Sequence, residues 1–151
     1  QGFINLMNEL PRERLILGVG SVGAAQGMLE ETVSYVLERK VFDKPLSMFQ
    51  NTRYVLAEIK TEIELNRALV EKYVSRYVNG ELTPGEASLC KLAASEMQGR
   101  VADKCLQLFG GYGYMREYKI SRAFLDARVQ RIYGGTSEIM KELISRDLVG
   151  R

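Results

Sequence analysis

Histidine and tryptophan are missing from all 151 residues, proline occurs three times and cysteine twice. Without histidine the chain has no side chain of the kind that usually serves as general base, nucleophile activator or metal ligand near neutral pH. Any proton transfer then falls to Asp, Glu, Lys, Tyr or Cys, and no metal site is expected. Cys90 and Cys105 lie on one predicted helix, about 22 Å apart at the helical rise, too far to form a disulfide with each other. They read as small buried apolar side chains, and a reducing intracellular compartment is the default for such a chain. No apolar run approaches the roughly 18 residues of a membrane span, and the N-terminus lacks the charged and apolar regions of a signal peptide. A net charge of +2 gives no strong attraction to nucleic acid or to an anionic membrane. No GxGxxG after a strand and no GxxxxGK[ST] is present, so the best-known phosphate loops are excluded. Nor does any stretch alternate with period two for long enough to read as a strand.

What remains is helical periodicity. With 46% apolar and 26% charged residues, the chain reads as one globular domain able to bury a core. Pro11 is placed as the start of a first helix. Leu15, Val19, Val22, Leu29, Val33 and Val36 follow as one stripe ending near Arg39. Gly18, Gly20, Gly23 and Gly27 share that helix and would let another helix or a ligand approach closely. Val41 to Ser47 reads as a loop, with Pro45 stopping helical continuation. A second helix carries Leu56, Ile59, Ile63, Val70, Val74 and Tyr77 and stops at Asn79-Gly80. Thr83-Pro84-Gly85-Glu86 is a capping box with proline at the first helical position. It opens a third helix with Leu89, Ala93, Met97, Val101, Cys105 and Leu108 on one face. Ile120 to Arg128 and Ser137 to Leu148 read as shorter helices. The expected fold is all-α, an antiparallel four-helix-bundle-like domain over residues 1–151, without internal repeats.

Two glycine pairs punctuate the last third, Gly110-Gly111 and Gly134-Gly135. Each has a purely structural reading: the first as a helix C-cap, the second as a loop leading to an N-cap at Thr136 or Ser137. Glycine pairs are common punctuation, which favours that reading on spacing alone, but each would also let bare backbone approach a bound cofactor.

The segments Gln107-Leu108-Phe109-Gly110-Gly111-Tyr112-Gly113 and Ile132-Tyr133-Gly134-Gly135-Thr136-Ser137-Glu138-Ile139 resemble the C-terminal domain of the acyl-CoA dehydrogenase family of flavoproteins, closest to its long-chain branch. Arg39-Lys40-Val41-Phe42 and Phe49-Gln50 match a third motif of that family at the expected spacing. The resemblance covers the whole chain. It implies α,β-dehydrogenation of an acyl-CoA thioester, long-chain or branched, to the trans-2-enoyl-CoA. A glutamate takes the α-proton and FAD accepts the hydride. In the commonest branch that glutamate directly precedes Gly-Thr in the last motif, where this chain has Gly134. In the long-chain and isovaleryl branches it sits in a Leu-x-x-Glu-Arg-Leu segment, and here Leu10-Pro11-Arg12-Glu13-Arg14-Leu15 matches. Glu13 therefore carries over as the base, with the Gly134 amide as a donor to the thioester oxygen. The purely structural reading of Glu13 is an acid in a helix's first turn, and that of Arg14 a solvated helix cation.

The same resemblance places Pro11, Arg12, Arg14, Tyr133, Gly134 and Gly135 at the substrate. It assigns Arg39, Phe42, Gln50, Gln107, Leu108, Phe109, Gly110, Gly111, Thr136, Ser137 and Glu138 to FAD, with the 107–111 segment reaching it across a dimer interface. Tyr112 and Tyr114 read equally as core or interface aromatics, and Lys119, Arg122, Arg128 and Arg131 as a solvated face. The family's N-terminal helical and middle β domains are absent from these residues, and the first residue is Gln1. The expectation is a C-terminal part of a longer enzyme, inactive alone. Electron-transfer flavoprotein is the implied acceptor, and homodimers or homotetramers the implied assembly. The implied location is the cytoplasm in a bacterium and the mitochondrial matrix in a eukaryote. A relative with oxidase or monooxygenase chemistry, or a non-catalytic helical interaction module, stands as the alternative.

Overall fold

The computed structural model describes residues 2–150, Phe3 by its backbone alone. Helix α1 runs Gly2–Glu38, α2 Gln50–Val78, α3 Pro84–Phe109, α4 Lys119–Val129 and α5 Ser137–Val149. The fold is the expected all-α bundle. Cross-helix bonds fix its directions: Arg14 meets Ser88 and Tyr35 meets Phe109, so α1 and α3 run parallel. Arg76 meets Glu86 and Arg100 meets Glu62, so α2 runs antiparallel to α3. Ser137 meets Glu96, and a side chain added at Gly85 would strike Asp147, which makes α5 antiparallel to α3 as well. Helix α3 is the central element, packed against each of the other four.

Helix α1 starts nine residues before Pro11 rather than at it. Proline inside a helix removes one bond, here to the Met7 carbonyl. Met7 is exposed, which lowers the cost of the lost bond because an exposed turn is open to solvent, and a Glu9–Arg12 ion pair of 3.1 Å lies beside the proline. Because the helix begins at Gly2, Glu13 is not a first-turn acid.

The buried seam of α1 also differs from the apolar stripe. It runs Leu15, Gly18, Val22, Ala25, Leu29, Thr32, Val36, alternating steps of three and four as a heptad seam does, while Val19 is 47% exposed and Val33 faces solvent too. Every second member of the true seam is small, so reading hydrophobicity alone skips it. At Gly18 the approach is closest: a Cβ there would lie 2.7 Å from the Cys90 sulfur. A Cβ added at Gly20, Gly23 or Gly27 would meet nothing within 4 Å, so these glycines serve no close approach among the described residues.

The connections follow their local chemistry. Asn79 caps α2 and Gly80 takes a φ of 73°. The capping box at Thr83 and Glu86 is formed in both directions, at 3.2 and 3.0 Å. The segment expected as a loop after α1 holds a minimal hairpin, β1 Lys40–Val41 and β2 Lys44–Pro45, followed by a 3₁₀ turn over Leu46–Met48. Its two turn residues, Phe42 and Asp43, both have positive φ, as a tight hairpin turn requires. Cys90 and Cys105 are free and buried on α3.

Candidate active site and cofactor cleft

Two regions gather the residues singled out in the sequence. The first lies where the C-terminal ends of α1 and α3 meet. Phe109 stacks on Tyr35, ring centroids 4.1 Å apart, and Tyr112 and Tyr118 extend the aromatic cluster. Beside it a cleft of about 430 Å³ is lined by Arg39, Gln107, Leu108, Phe109, Gly110 and Gly111, together with Tyr35, Val41, Leu46, Tyr112 and Met115. Gly110 caps α3 with a φ of 59°, a conformation that favours glycine. Gly111 has neither that constraint nor any atom within 4 Å of an added Cβ. Packing within the chain does not require glycine at 111, yet its absence of a side chain leaves backbone bare toward the cleft. The Arg39 guanidinium lies over the Tyr112 ring at 5.2 Å with no carboxylate partner among the described residues. Backbone without side chains beside an unpaired guanidinium suits the close approach of a pyrophosphate, so these residues fit the FAD implied by the sequence. Phe42, at the hairpin tip and 88% exposed, and Gln50, bonded to the Tyr54 hydroxyl, flank this end without lining the cleft.

The second region is where α1, the start of α3 and the loop before α5 converge. Arg14 is buried, not a solvated cation. Its Nε donates to the Gly134 carbonyl at 3.3 Å and a terminal nitrogen to the Ser88 hydroxyl at 3.4 Å, long contacts for hydrogen bonds. Burial pushes its guanidinium below the ordinary value, and the Glu13 carboxylate acts in the opposite direction. Lys91, on α3, donates to the Gly135 carbonyl at 2.7 Å. Gly134 and Gly135 have φ of 66° and 108°. An added Cβ at Gly134 would meet Leu17 at 2.7 Å, and one at Gly135 would meet Met140 at 2.5 Å. Thr136 caps α5, its hydroxyl accepting from the Ile139 amide.

Arg14, Gly134 and Gly135 are thus brought into one neighbourhood across about 120 residues of sequence, with the loop held on α1 by Arg14 and on α3 by Lys91, and Glu13 precedes Arg14 on α1. Glu13 and Tyr133 are exposed beside it. Pro11 and Arg12 line a separate cleft of about 360 Å³ with Met7, Tyr77, Leu82 and Pro84. Thr136, Ser137 and Glu138 border a smaller one of about 170 Å³ with Glu96, Arg128, Arg131 and Lys141. Ser137 is buried and its hydroxyl donates to Glu96 at 2.6 Å. Arg131 also pairs with Glu96, at 3.3 Å, so it is not simply part of a solvated face. Tyr112 and Tyr114 are exposed. Lys91, Ser88 and Leu17 were not anticipated. Lys91 left a signal, a lone cation between Ala87, Cys90 and Ala94 on the buried face of α3.

Residues 1–149 match the family described as "Acyl-CoA dehydrogenase, C-terminal domain". The chain belongs to the acyl-CoA dehydrogenase family. It is 49% identical over 149 residues to the mouse mitochondrial long-chain specific acyl-CoA dehydrogenase, covering 99% of this chain and 35% of that protein. The crystal structure of an acyl-CoA dehydrogenase from Geobacillus kaustophilus superposes with a TM-score of 0.94 at 41% identity, over 97% of this chain and 39% of that one. A glutaryl-CoA dehydrogenase from Mycobacterium smegmatis, solved in complex with FADH2, superposes at 0.90 with 32% identity, covering 94% and 37%. This acyl-CoA dehydrogenase C-terminal domain therefore spans little more than a third of the length of the relatives it matches. No helix among its described residues is long and apolar enough to cross a membrane.

Proposed function

We propose that the chain is the C-terminal helical domain of a longer flavin-dependent acyl-CoA dehydrogenase, acting on a long-chain or branched acyl-CoA and inactive by itself. Glu13 removes the α-proton of the thioester, and the Gly134 amide donates to the thioester oxygen as negative charge grows there. FAD, when bound, supplies the hydride acceptor that completes formation of the trans-2-enoyl-CoA. Tyr133 and Gly135 border the acyl site, Arg14 backs its wall, and Pro11 and Arg12 lie one turn earlier on α1. The observation that carries this reading is the bond from Arg14 to the Gly134 carbonyl. It joins the turn bearing Glu13 to the glycine loop, which supports a reading in which base and oxyanion donor serve one site.

The spacing of the two regions supports assembly through this domain. Residues 14 and 39 are 25 positions apart along α1 and its end, hence about 37 Å, longer than one dinucleotide. One FAD therefore meets Thr136, Ser137 and Glu138 of one copy and Arg39, Phe42, Gln50 and the Gln107–Gly111 segment of a second. A homodimer is the minimal unit and a homotetramer a pair of such units. Electron-transfer flavoprotein takes the electrons onward, in the mitochondrial matrix or the bacterial cytoplasm according to source.

The test is anaerobic bleaching of the flavin absorbance in the complete enzyme, titrated with acyl-CoAs of increasing length and repeated with Glu13→Gln. Loss of a positioned general base slows the step about 10²- to 10⁴-fold. Bleaching at the wild-type rate in Glu13→Gln would remove Glu13 from the mechanism. Bound flavin that no acyl-CoA bleaches would remove the dehydrogenase reading itself.

A further inference from the structure

Lys91 is a cation where packing does not ask for one. It is 1% exposed, the most buried lysine among the described residues, and its one hydrogen bond there goes to a backbone carbonyl, Gly135, rather than to a carboxylate. Withdrawing an ammonium from water without a paired anion is costly, and methionine would fill a similar volume without that cost. Burial depresses its pKa, the Glu96 carboxylate acts against that, and the Arg14 charge adds to it.

The carbonyl it holds belongs to the most freely rotating stretch of the site. Gly134 and Gly135 both have positive φ, and two successive glycines lose more backbone freedom on ordering than any other pair. Arg14 grips the first carbonyl and Lys91 the second, so both peptide planes are oriented from below. In a trans peptide the C=O and the following N–H point in opposite directions. With the carbonyls of Gly134 and Gly135 turned inward, the amides of Gly135 and Thr136 point to the opposite face of the loop. Neither donates to a backbone acceptor among the described residues, whereas the next amide, Ser137, is bonded to the Arg131 carbonyl.

We propose that Lys91 is a positioning residue: its ammonium anchors the Gly135 carbonyl and so fixes the Thr136 amide and, together with Arg14 on the Gly134 carbonyl, holds the glycine loop in the conformation that presents the Gly134 amide to the substrate. This rests on the reading of Glu13 and the Gly134-Gly135 loop as the active site. Lys91 touches no reacting atom in this scheme and acts through the loop.

The experiment compares Lys91→Met and Lys91→Gln in the complete flavoprotein. Methionine removes the donor, and glutamine keeps an N–H without the charge. Stopped-flow flavin reduction by an acyl-CoA should slow about 10²-fold in Lys91→Met, the scale of a small misplacement at a reacting centre, with the half-saturating acyl-CoA concentration changed less than about threefold and flavin content retained. Lys91→Gln should recover about a tenfold part of that loss. A Lys91→Met enzyme reduced at the wild-type rate overturns the proposal, as does one altered only in thermal stability. Equal loss in both variants overturns it too, because the carbonyl anchor would then be irrelevant. If neither variant holds flavin, a crystal structure of the wild-type holoenzyme decides. A Gly135 carbonyl on the Lys91 ammonium supports the anchor, and one turned away from it overturns it. Failure of every acyl-CoA to bleach the wild-type flavin would instead strike the dehydrogenase reading and leave this crystallographic test standing.

Discussion

Replacing glycine by alanine along α1 should change sign with position, and Gly18 is where it reverses. Alanine gains about 1 kcal/mol over glycine in a helix interior. At Gly23, where an added Cβ meets nothing within 4 Å, most of that gain should appear as stability. At Gly18 the Cβ would sit 2.7 Å from the Cys90 sulfur and 3.6 Å from its carbonyl oxygen, and Cys90 is fully buried, so the sulfur has no free space to retreat into. Overpacking of this kind costs about 1–3 kcal/mol. Gly18→Ala should therefore be about 0–2 kcal/mol less stable than wild type, and about 1–3 kcal/mol less stable than Gly23→Ala. The cause is a single sulfur, so Cys90→Ala should relieve it. The Gly18→Ala/Cys90→Ala pair should show a favourable coupling of about 1–3 kcal/mol in a double-mutant cycle. Urea unfolding followed by helical circular dichroism gives the free energies, and for a domain of this size 1 kcal/mol corresponds to about 2–4 °C in Tm. Equal stabilisation by Gly18→Ala and Gly23→Ala, or strict additivity with Cys90→Ala, would refute the close α1–α3 approach.

The remaining expectations concern the glycine loop, the acid limb and the base. Gly134→Ala meets both a φ of 66° and Leu17 at 2.7 Å. It should lose roughly 1–3 kcal/mol of stability in urea unfolding, partly restored by Leu17→Ala, and a neutral effect would mean the loop is not held as described. Glu62 ties α2 to α3 through Lys104 at 3.0 Å and Arg100 at 2.9 Å. Burial raises its pKa, but the bonds from Lys104 and Arg100 outweigh that and hold it below the ordinary 4.5. A folded pKa below the unfolded one gives stability that is present above about pH 4.5 and lost as pH falls through the folded value. Glu62→Gln should therefore be less stable than wild type near pH 7, with the gap closing below pH 4.5, as read from unfolding midpoints across pH. A gap independent of pH would show that the carboxylate's charge is not what joins the helices. Glu13→Gln should slow substrate-dependent bleaching about 10²- to 10⁴-fold while leaving flavin bound.

Much of the framework was legible because its signals are local. The capping box at Thr83 and Glu86 and the Asn79-Gly80 stop of α2 are short-range chemistry, and each formed where its residues stand. The start of α1 is not legible from Pro11, because a proline that suits a first turn is also tolerated inside a helix when the freed carbonyl can reach water. Only half of the α1 seam is legible as hydrophobicity: Leu15, Val22, Leu29 and Val36 are inside, but Gly18, Ala25 and Thr32 between them carry too little hydrophobicity to register. Phe42 and Asp43 at positive φ gave no local hint of a hairpin, since neither is the glycine such turns usually take.

The sequence by itself determined the helices, their caps, the glycine pairs and the motifs that place the chain in its family, because propensity, capping and backbone freedom act within a few residues. Only the tertiary structure decided that Arg14 is buried, that Lys91 reaches Gly135 across 44 residues, and that the candidate cofactor residues fall into two separate regions of one copy. Those facts depend on how α1 and α3 lie side by side, and contacts between residues far apart in sequence are set by packing, which no local pattern encodes.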